Sequence, residues 1–114
     1  MAITISTKTP KKLLAAYKKA IDDGHIRTWS YDSDGDFTHT ADQWIRKAWL
    51  RPKIIEGTSL RLFILAPKET KLTSTIYAIY HGRFIESVLT HCDELFQSAN
   101  ASAMPEMGDI VDPK

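Results

Sequence analysis

The stretch LRLFILAPKETKLTSTIYAIYHGRFIESVLTHCDELFQS, residues 60–98, decides the fold. Leu60–Ala66 and Thr73–Tyr80 are short apolar runs bounded by turn residues, and each predicts a strand. Gly82 interrupts the pattern, and the residues after it predict a helix from Arg83 to Ser98 because their apolar side chains recur at helical spacing. That apolar set is Phe84, Ile85, Val88, Leu89, Cys92, Leu95 and Phe96.

The N-terminal part predicts a strand and a helix. Met1–Ser6 alternates weakly between apolar and polar residues, as a short strand does. Thr9 and Pro10 are typical of a helix start, where the threonine hydroxyl caps and proline occupies the first position. Gly24 is placed to end that helix in a left-handed conformation.

A hairpin follows the first helix. Ile26–Tyr31 predicts a strand, and Phe37–His39 its antiparallel partner. A three-residue loop with Gly35 at positive φ places Tyr31 opposite Phe37, and therefore Trp29 opposite His39.

Residues 41–50 are ambiguous, and we expect an irregular or one-turn stretch there. A strand is predicted from about Lys47 to Ile55. Because Pro52 has no amide hydrogen to donate, this strand is expected to be an edge or to carry a bulge. Residues 56–59 form a turn that leads back into Leu60–Ala66.

These elements predict an α+β fold with a mainly antiparallel meander sheet of about four to five strands and two helices, in the order β-α-β-β-β-β-α. Residues 1–98 are expected to form the domain, and residues 99–114 a flexible C-terminal tail. The LFIL and IYAIY strands are apolar on both faces, so either the same chain or a second copy has to cover the outer face. We expect a homodimer.

Composition excludes several classes of protein. The chain has 114 residues, a formal net charge of +1 and one cysteine, so it predicts one domain without an internal disulfide and argues against a strongly cationic nucleic-acid binder. The N-terminal residues lack the apolar run of a signal peptide, and no segment has the length and apolarity of a membrane span. The sequence therefore predicts a cytoplasmic protein with no membrane partner.

No motif indicates a metal or a cofactor. The run Asp32–Asp36 resembles the first half of a calcium loop, but Phe37 and Gln43 stand where glycine and a bidentate glutamate are needed. The four histidines and Cys92 lack zinc-ligand spacing, and Cys92 is expected to be a buried packing residue. Signatures of serine hydrolases and phosphate loops are absent as well.

The segment from Trp44 to Lys53 interleaves tryptophans with cations and contains no acid. Indole rings stack on bases and cations bind phosphates, which is the composition of a single-stranded nucleic-acid site. The same composition suits an edge strand that avoids aggregation, and both interpretations stay open. The candidate contact residues are Trp44, Arg46, Lys47, Trp49, Arg51 and Lys53.

The residues Tyr80, His81, Gly82 and Arg83 are the main candidate ligand-binding site. If a strand ends and a helix begins here, unpaired amides beside Arg83 and a titratable His81 would accept an anion.

Three functions remain open. The first is a non-enzymatic binding or interaction module with this anion-accepting junction. The second is a small enzyme that uses His81 or His39 as acid or base with Tyr80 and Arg83. The third is an inhibitor of a basic partner, because residues 1–84 carry 14 cations and eight anions whereas residues 85–114 carry one cation and six anions.

Overall fold

The computed structural model describes residues 2–111. Six strands, two α-helices and a short 3-10 helix follow one another along this range. They are β1 (Ile3–Ser6), α1 (Pro10–Asp22), β2 (Trp29–Tyr31), β3 (Phe37–His39), β4 (Trp49–Ile55), β5 (Ser59–Leu65), α2 (Ser74–Cys92), the 3-10 helix (Asp93–Leu95) and β6 (Ser98–Ala101).

All six strands belong to one antiparallel sheet, in the spatial order β2-β3-β4-β5-β1-β6. The α+β class and the order β-α-β-β-β-β-α are confirmed, and β6 follows the second helix, so the sheet has one strand more than the four to five expected. The apolar strand β5 lies centrally, between β4 and β1, as its two apolar faces predict.

The core lies between the two helices and one face of the sheet. Alternate residues of β1 and β5 are buried there, among them Ile5 and Leu62, both fully buried. Tyr17 of α1 and Phe84 of α2 meet with ring centroids 4.9 Å apart. The Tyr17 hydroxyl donates a hydrogen bond of 2.8 Å to Ser87 Oγ, which fixes α1 against α2.

The predicted first helix is confirmed, except for its cap. Thr9 makes no side-chain cap hydrogen bond. Thr7 Oγ1 instead accepts a bond from the Thr9 amide and donates one of 2.7 Å to the Leu95 carbonyl, so Thr7 connects the helix start to the far end of the chain. Gly24 follows the helix with φ of 78°, the left-handed conformation predicted for it.

The β2–β3 hairpin has the predicted register. Tyr31 pairs with Phe37 and Trp29 with His39. The Asp32 amide donates to the Asp36 carbonyl, which closes a three-residue loop in which Gly35 has φ of 84°.

The region around Pro52 also follows the prediction. Residues 41–47 form turns, and β4 then pairs with β5 along its whole length. Its pairing with β3 is limited to Leu50, so Pro52 lies where β4 is the edge of the sheet on that side.

The strand predicted at Thr73–Tyr80 is wrong, and so is the helix start at Arg83. Both segments belong to α2, and Gly82 lies in the interior of that helix. Thr73 caps it, because its Oγ1 accepts a hydrogen bond of 3.2 Å from the Ile76 amide. Residues 76, 80, 84 and 88 follow at intervals of four, so one buried stripe continues through the glycine.

The end of the chain also differs from the expectation. The helix ends at Cys92 and not at Ser98, and Ser98–Ala101 form β6 along β1. Farther on, the Ile110 amide donates to the Ile64 carbonyl and the Ala66 amide to the Ile110 carbonyl. The ordered pairing therefore extends past residue 98, the boundary expected between domain and tail.

The same segment covers the outer face of β5. A Cβ on Gly108 would lie 2.7 Å from the Phe63 ring, and Phe63 is only 8% exposed. The chain itself covers this apolar face, which removes the reason given above for expecting a homodimer.

Candidate functional site: two basic clefts

The anion site predicted at residues 80–83 loses its structural basis, because no strand–helix junction exists there. Tyr80 is fully buried, and its hydroxyl donates to the Trp44 carbonyl. His81 is 5% exposed, with Nδ1 2.6 Å from the Tyr77 carbonyl oxygen. The amide of Gly82 lies in the helix interior, so this segment offers no set of free amides to an anion.

Helix α2 starts at Ser74, nine residues before the predicted start at Arg83. A cleft of about 490 Å³ lies beside this helix start. We call it the helix-start cleft. Its lining consists of Arg46, Lys47, Pro67, Thr70, Lys71, Leu72, Thr73 and Ile76.

The three cations of the helix-start cleft have no acidic partner in the part of the chain that the structure describes. Within residues 2–111, no carboxylate lies within 4.0 Å of the side-chain nitrogens of Arg46, Lys47 or Lys71. The first turn of α2 contains no acidic residue either, so the positive end of the helix dipole adds to their field. The cleft therefore brings three cations without an ion-pair partner in residues 2–111 together around the apolar side chains of Pro67, Leu72 and Ile76.

A second basic cleft, of about 530 Å³, lies on the outer face of the sheet. We call it the sheet cleft. Strand register explains its composition: Arg51 of β4 pairs with Phe63 of β5, and Lys53 pairs with Arg61, so these side chains share one face. The lining consists of Arg51, Pro52, Lys53, Arg61, Phe63, Met107 and Gly108.

Two of the three cations in the sheet cleft are paired within the chain. Arg51 donates from Nε and Nη2 to the two carboxylate oxygens of Asp36, at 3.0 and 2.8 Å, and these hydrogen bonds raise the pKa of Arg51 above its ordinary value. Arg61 donates to Glu106 at 3.0 Å and lies 5.0 Å from the centroid of the Phe63 ring. Lys53 is exposed and forms no ion pair with the described part of the chain.

The predicted strip from Trp44 to Lys53 is thus divided between two places. Arg46 and Lys47 line the helix-start cleft, whereas Arg51 and Lys53 line the sheet cleft. Trp49, half-buried, pairs with Leu65 on the outer face between them, and Trp44 lines neither cleft.

Comparison with protein-family models, with curated proteins and with solved structures found no match. Sequence reasoning missed Lys71, Arg61 and Phe63. The pairing of β4 with β5 across the turn at residues 56–58 was the signal that would have placed Arg61 beside Lys53.

The hairpin loop brings three carboxylates together. Oxygens of Asp32, Asp34 and Asp36 lie within 4.8 Å of one another. Asp32 Oδ1 accepts bonds from the amides of Asp34 and Asp36, both at 3.0 Å, and Asp36 is paired with Arg51. These contacts shape the turn and hold β4 to it.

The candidate acid–base residues are buried. His39 is 2% exposed, and its Nδ1 accepts a hydrogen bond from the Ala41 amide. Burial and the nearby charge of Arg83 lower the pKa of His39 below its ordinary value. Burial raises the pKa of the Cys92 thiol, in agreement with its predicted role as a packing residue.

The acidic C-terminal segment folds back onto the basic part of the chain. Glu106 pairs with Arg61, and Asp109 accepts hydrogen bonds from the Ile64 and Glu106 amides. These two carboxylates are used within the molecule, which removes part of the acidic surface that the inhibitor hypothesis needs. Neither helix of residues 2–111 has the length and apolarity to cross a membrane.

Proposed function

We propose that the protein is a non-enzymatic binding module for an anionic chain, and that single-stranded nucleic acid is its ligand class. The observation that carries the proposal is the helix-start cleft, where Arg46, Lys47 and Lys71 surround apolar side chains and have no acidic partner among residues 2–111. An unpaired group of cations at one place on a nearly neutral protein favours a ligand that supplies the missing negative charge.

The spacing of the two clefts favours a chain over a single small anion. Trp49 and Lys53 are four residues apart on β4, which corresponds to about 13 Å, and Lys47 lies in the turn two residues before Trp49. Cations therefore lie on both sides of half-buried Trp49 along the chain. A phosphate backbone along β4 would meet cations at each end and an indole ring between them.

An enzymatic function has less support. His39, the histidine whose ring lies 6.2 Å from that of Tyr80, is 2% exposed. It lines neither basic cleft. A general acid or base has to reach the proton that it transfers, and burial prevents that here.

Titration of a fluorescein-labelled oligo(dT) at 50 and 200 mM salt tests the proposal. We expect binding that weakens with salt. The variant Lys47→Glu with Lys71→Glu removes two cation contacts, so the slope of log K against log salt is expected to become less negative by about 1.4. The matched control, Lys8→Glu with Lys12→Glu, has the same change in net charge outside both clefts.

Each outcome of the oligo(dT) titration leads to a different conclusion. Binding that is lost in the cleft variant and kept in the control supports the site. Equal loss in both variants would mean that only net charge matters, and absence of binding at 50 mM salt would contradict the function. Binding of heparin but not of oligo(dT) would keep the anion site and reject nucleic acid as its ligand.

A further inference from the structure

The outer edge of β6, a strand of four residues, lacks the charged and proline residues that usually prevent an edge from pairing with another strand. Its sequence is Ser-Ala-Asn-Ala, which contains neither a charged residue nor a proline. The Ser102 amide donates to the Ala2 carbonyl, and hydrogen-bonded residues alternate along an antiparallel ladder, so the backbone groups of Ala99 and Ala101 face outward. No partner for these groups is present in residues 2–111.

An apolar stripe on α2 faces outward as well. Ala78, Gly82, Ile85 and Leu89 lie within about 60° of one another around the helix axis, given 100° per residue. Ile85 is half-buried, and the other three are exposed, Leu89 to 52%. The stripe contains no charged side chain and is separate from the buried stripe of Tyr80, Phe84 and Val88.

The β6 edge and the apolar stripe lie on the same side of the molecule. A groove of about 450 Å³ runs between α2 and the residues at the end of β6. Ala78, Gly82 and Ile85 line it from the helix, and Ala101 lines it from the strand. One partner can therefore contact both elements at once.

The stripe is complementary to itself under twofold symmetry. If two copies of α2 pack antiparallel about a point between residues 83 and 84, Ile85 of one copy lies opposite Gly82 of the other. In the same register Leu89 lies opposite Ala78. Each large side chain then meets a small residue, and each contact occurs twice, which is the property of an interface between identical chains.

We propose that the protein forms a twofold dimer in which β6 pairs antiparallel with β6 of a second copy and the apolar stripes of the two α2 helices pack together. A single axis perpendicular to the sheet makes both pairings antiparallel. The six-stranded sheet thereby continues across the interface, and the outward backbone groups of Ala99 and Ala101 find partners.

The size of the face agrees with a specific dimer. β6, the stripe and the residues beside them number about 16, which corresponds to about 500 Å² for each copy, or about 1,000 Å² in total. This reaches the lower bound for a specific interface. Neither the stripe nor β6 contains a charged residue, so no charge has to be buried within either element.

Sedimentation equilibrium of the full chain from 1 to 200 µM tests the dimer. We expect Leu89→Glu to weaken it at least about 100-fold, because two buried leucines are lost for each dimer. Ala78→Lys is expected to weaken it as well. The double variant Leu89→Glu with Ala78→Lys is expected to recover dimer formation, because the proposed register places the two new charges opposite each other across the interface.

Ile45→Glu is the matched control, since Ile45 is 38% exposed and lies outside both elements. Circular dichroism confirms that each variant is folded. A wild-type chain that stays monomeric at 200 µM, or a dimer that Leu89→Glu leaves intact, would overturn the proposal. Failure of the double variant to recover would overturn the register, and with it the packing proposed here.

Discussion

Replacement of Gly82 by alanine tests whether this glycine lies in the interior of a continuous helix or at a break between two elements. Gly82 lies inside α2, and a Cβ built on it has no neighbour within 4 Å. The substitution therefore neither fills a cavity nor creates a clash in the monomer. What remains is the backbone entropy that glycine loses in a helix, so Gly82→Ala is expected to raise the free energy of unfolding by about 1 kcal/mol.

Gly24→Ala is the matched comparison. A Cβ at Gly24 also has no neighbour within 4 Å, but its φ is 78°. Alanine in the left-handed region costs about 1 kcal/mol, so this variant is expected to be destabilised by that amount. Two glycines with equally open surroundings should thus give opposite signs, because only their backbone conformations differ.

Urea denaturation followed by tryptophan fluorescence measures both effects. Each substitution is made in the Leu89→Glu background, which removes any contribution of a second copy to stability. For a chain of 114 residues, a difference of 1 kcal/mol corresponds to about 4 °C in Tm. Destabilisation by Gly82→Ala, with an unchanged m-value, would refute the continuous helix and restore a break at this residue.

Three further changes probe the core and the C-terminal cover. Gly108→Ala is expected to lower the free energy of unfolding by about 2 kcal/mol, because φ is 107° and the new Cβ would approach Phe63 to 2.7 Å. Phe63→Leu in that background is expected to restore part of the loss in urea titrations, and a lack of any recovery would contradict the contact. Tyr17→Phe removes the hydrogen bond to the buried Ser87 hydroxyl and is expected to lower the free energy of unfolding by about 1–2 kcal/mol. In a double-mutant cycle, Ser87→Ala is expected to destabilise the Tyr17→Phe variant less than it destabilises the wild-type chain. Burial lowers the pKa of His39 in the folded protein, so His39 binds a proton more readily in the unfolded chain. The contribution of neutral His39 to the free energy of unfolding is therefore fully present above about pH 6.5 and decreases as the pH falls below that value. His39→Gln should flatten that fall in unfolding curves at pH 7.5 and 5.5, and an equally steep fall would assign it to other groups.

The N-terminal half was predictable because its signals are local. Pro10 marks the start of α1, Gly24 its end, and Gly35 determines the hairpin register. Each acts through the backbone angles of one or two residues, which distant contacts do not change.

The error at residues 73–80 has a physical cause. Isoleucine and tyrosine favour strands when considered alone, and Gly82 is a poor helix residue, so local preference indicated a strand and a break. The buried stripe that joins Tyr80 to Phe84 overrides both preferences through packing. Thr73, which caps the helix, was the local signal that pointed to the correct start.

The candidate site was only partly predictable. The cations of residues 46–53 stood out by composition, but Lys71 reaches the helix-start cleft through the fold of the chain. The contact between Gly108 and Phe63 depends on residues 45 positions apart. No local pattern encodes such a distance.

The position of β1 between β5 and β6 determines the timing of folding. Residues 3–6 leave the ribosome long before residues 98–101, which form one of their two neighbouring strands. The local β4–β5 hairpin can form during synthesis, whereas β1 has to wait for β6, which is about 95 residues away in the sequence. Completion of the sheet therefore has to wait until residues 98–101 have been made, and a chain that stalls before residue 98 would leave one side of β1 exposed to other nascent chains.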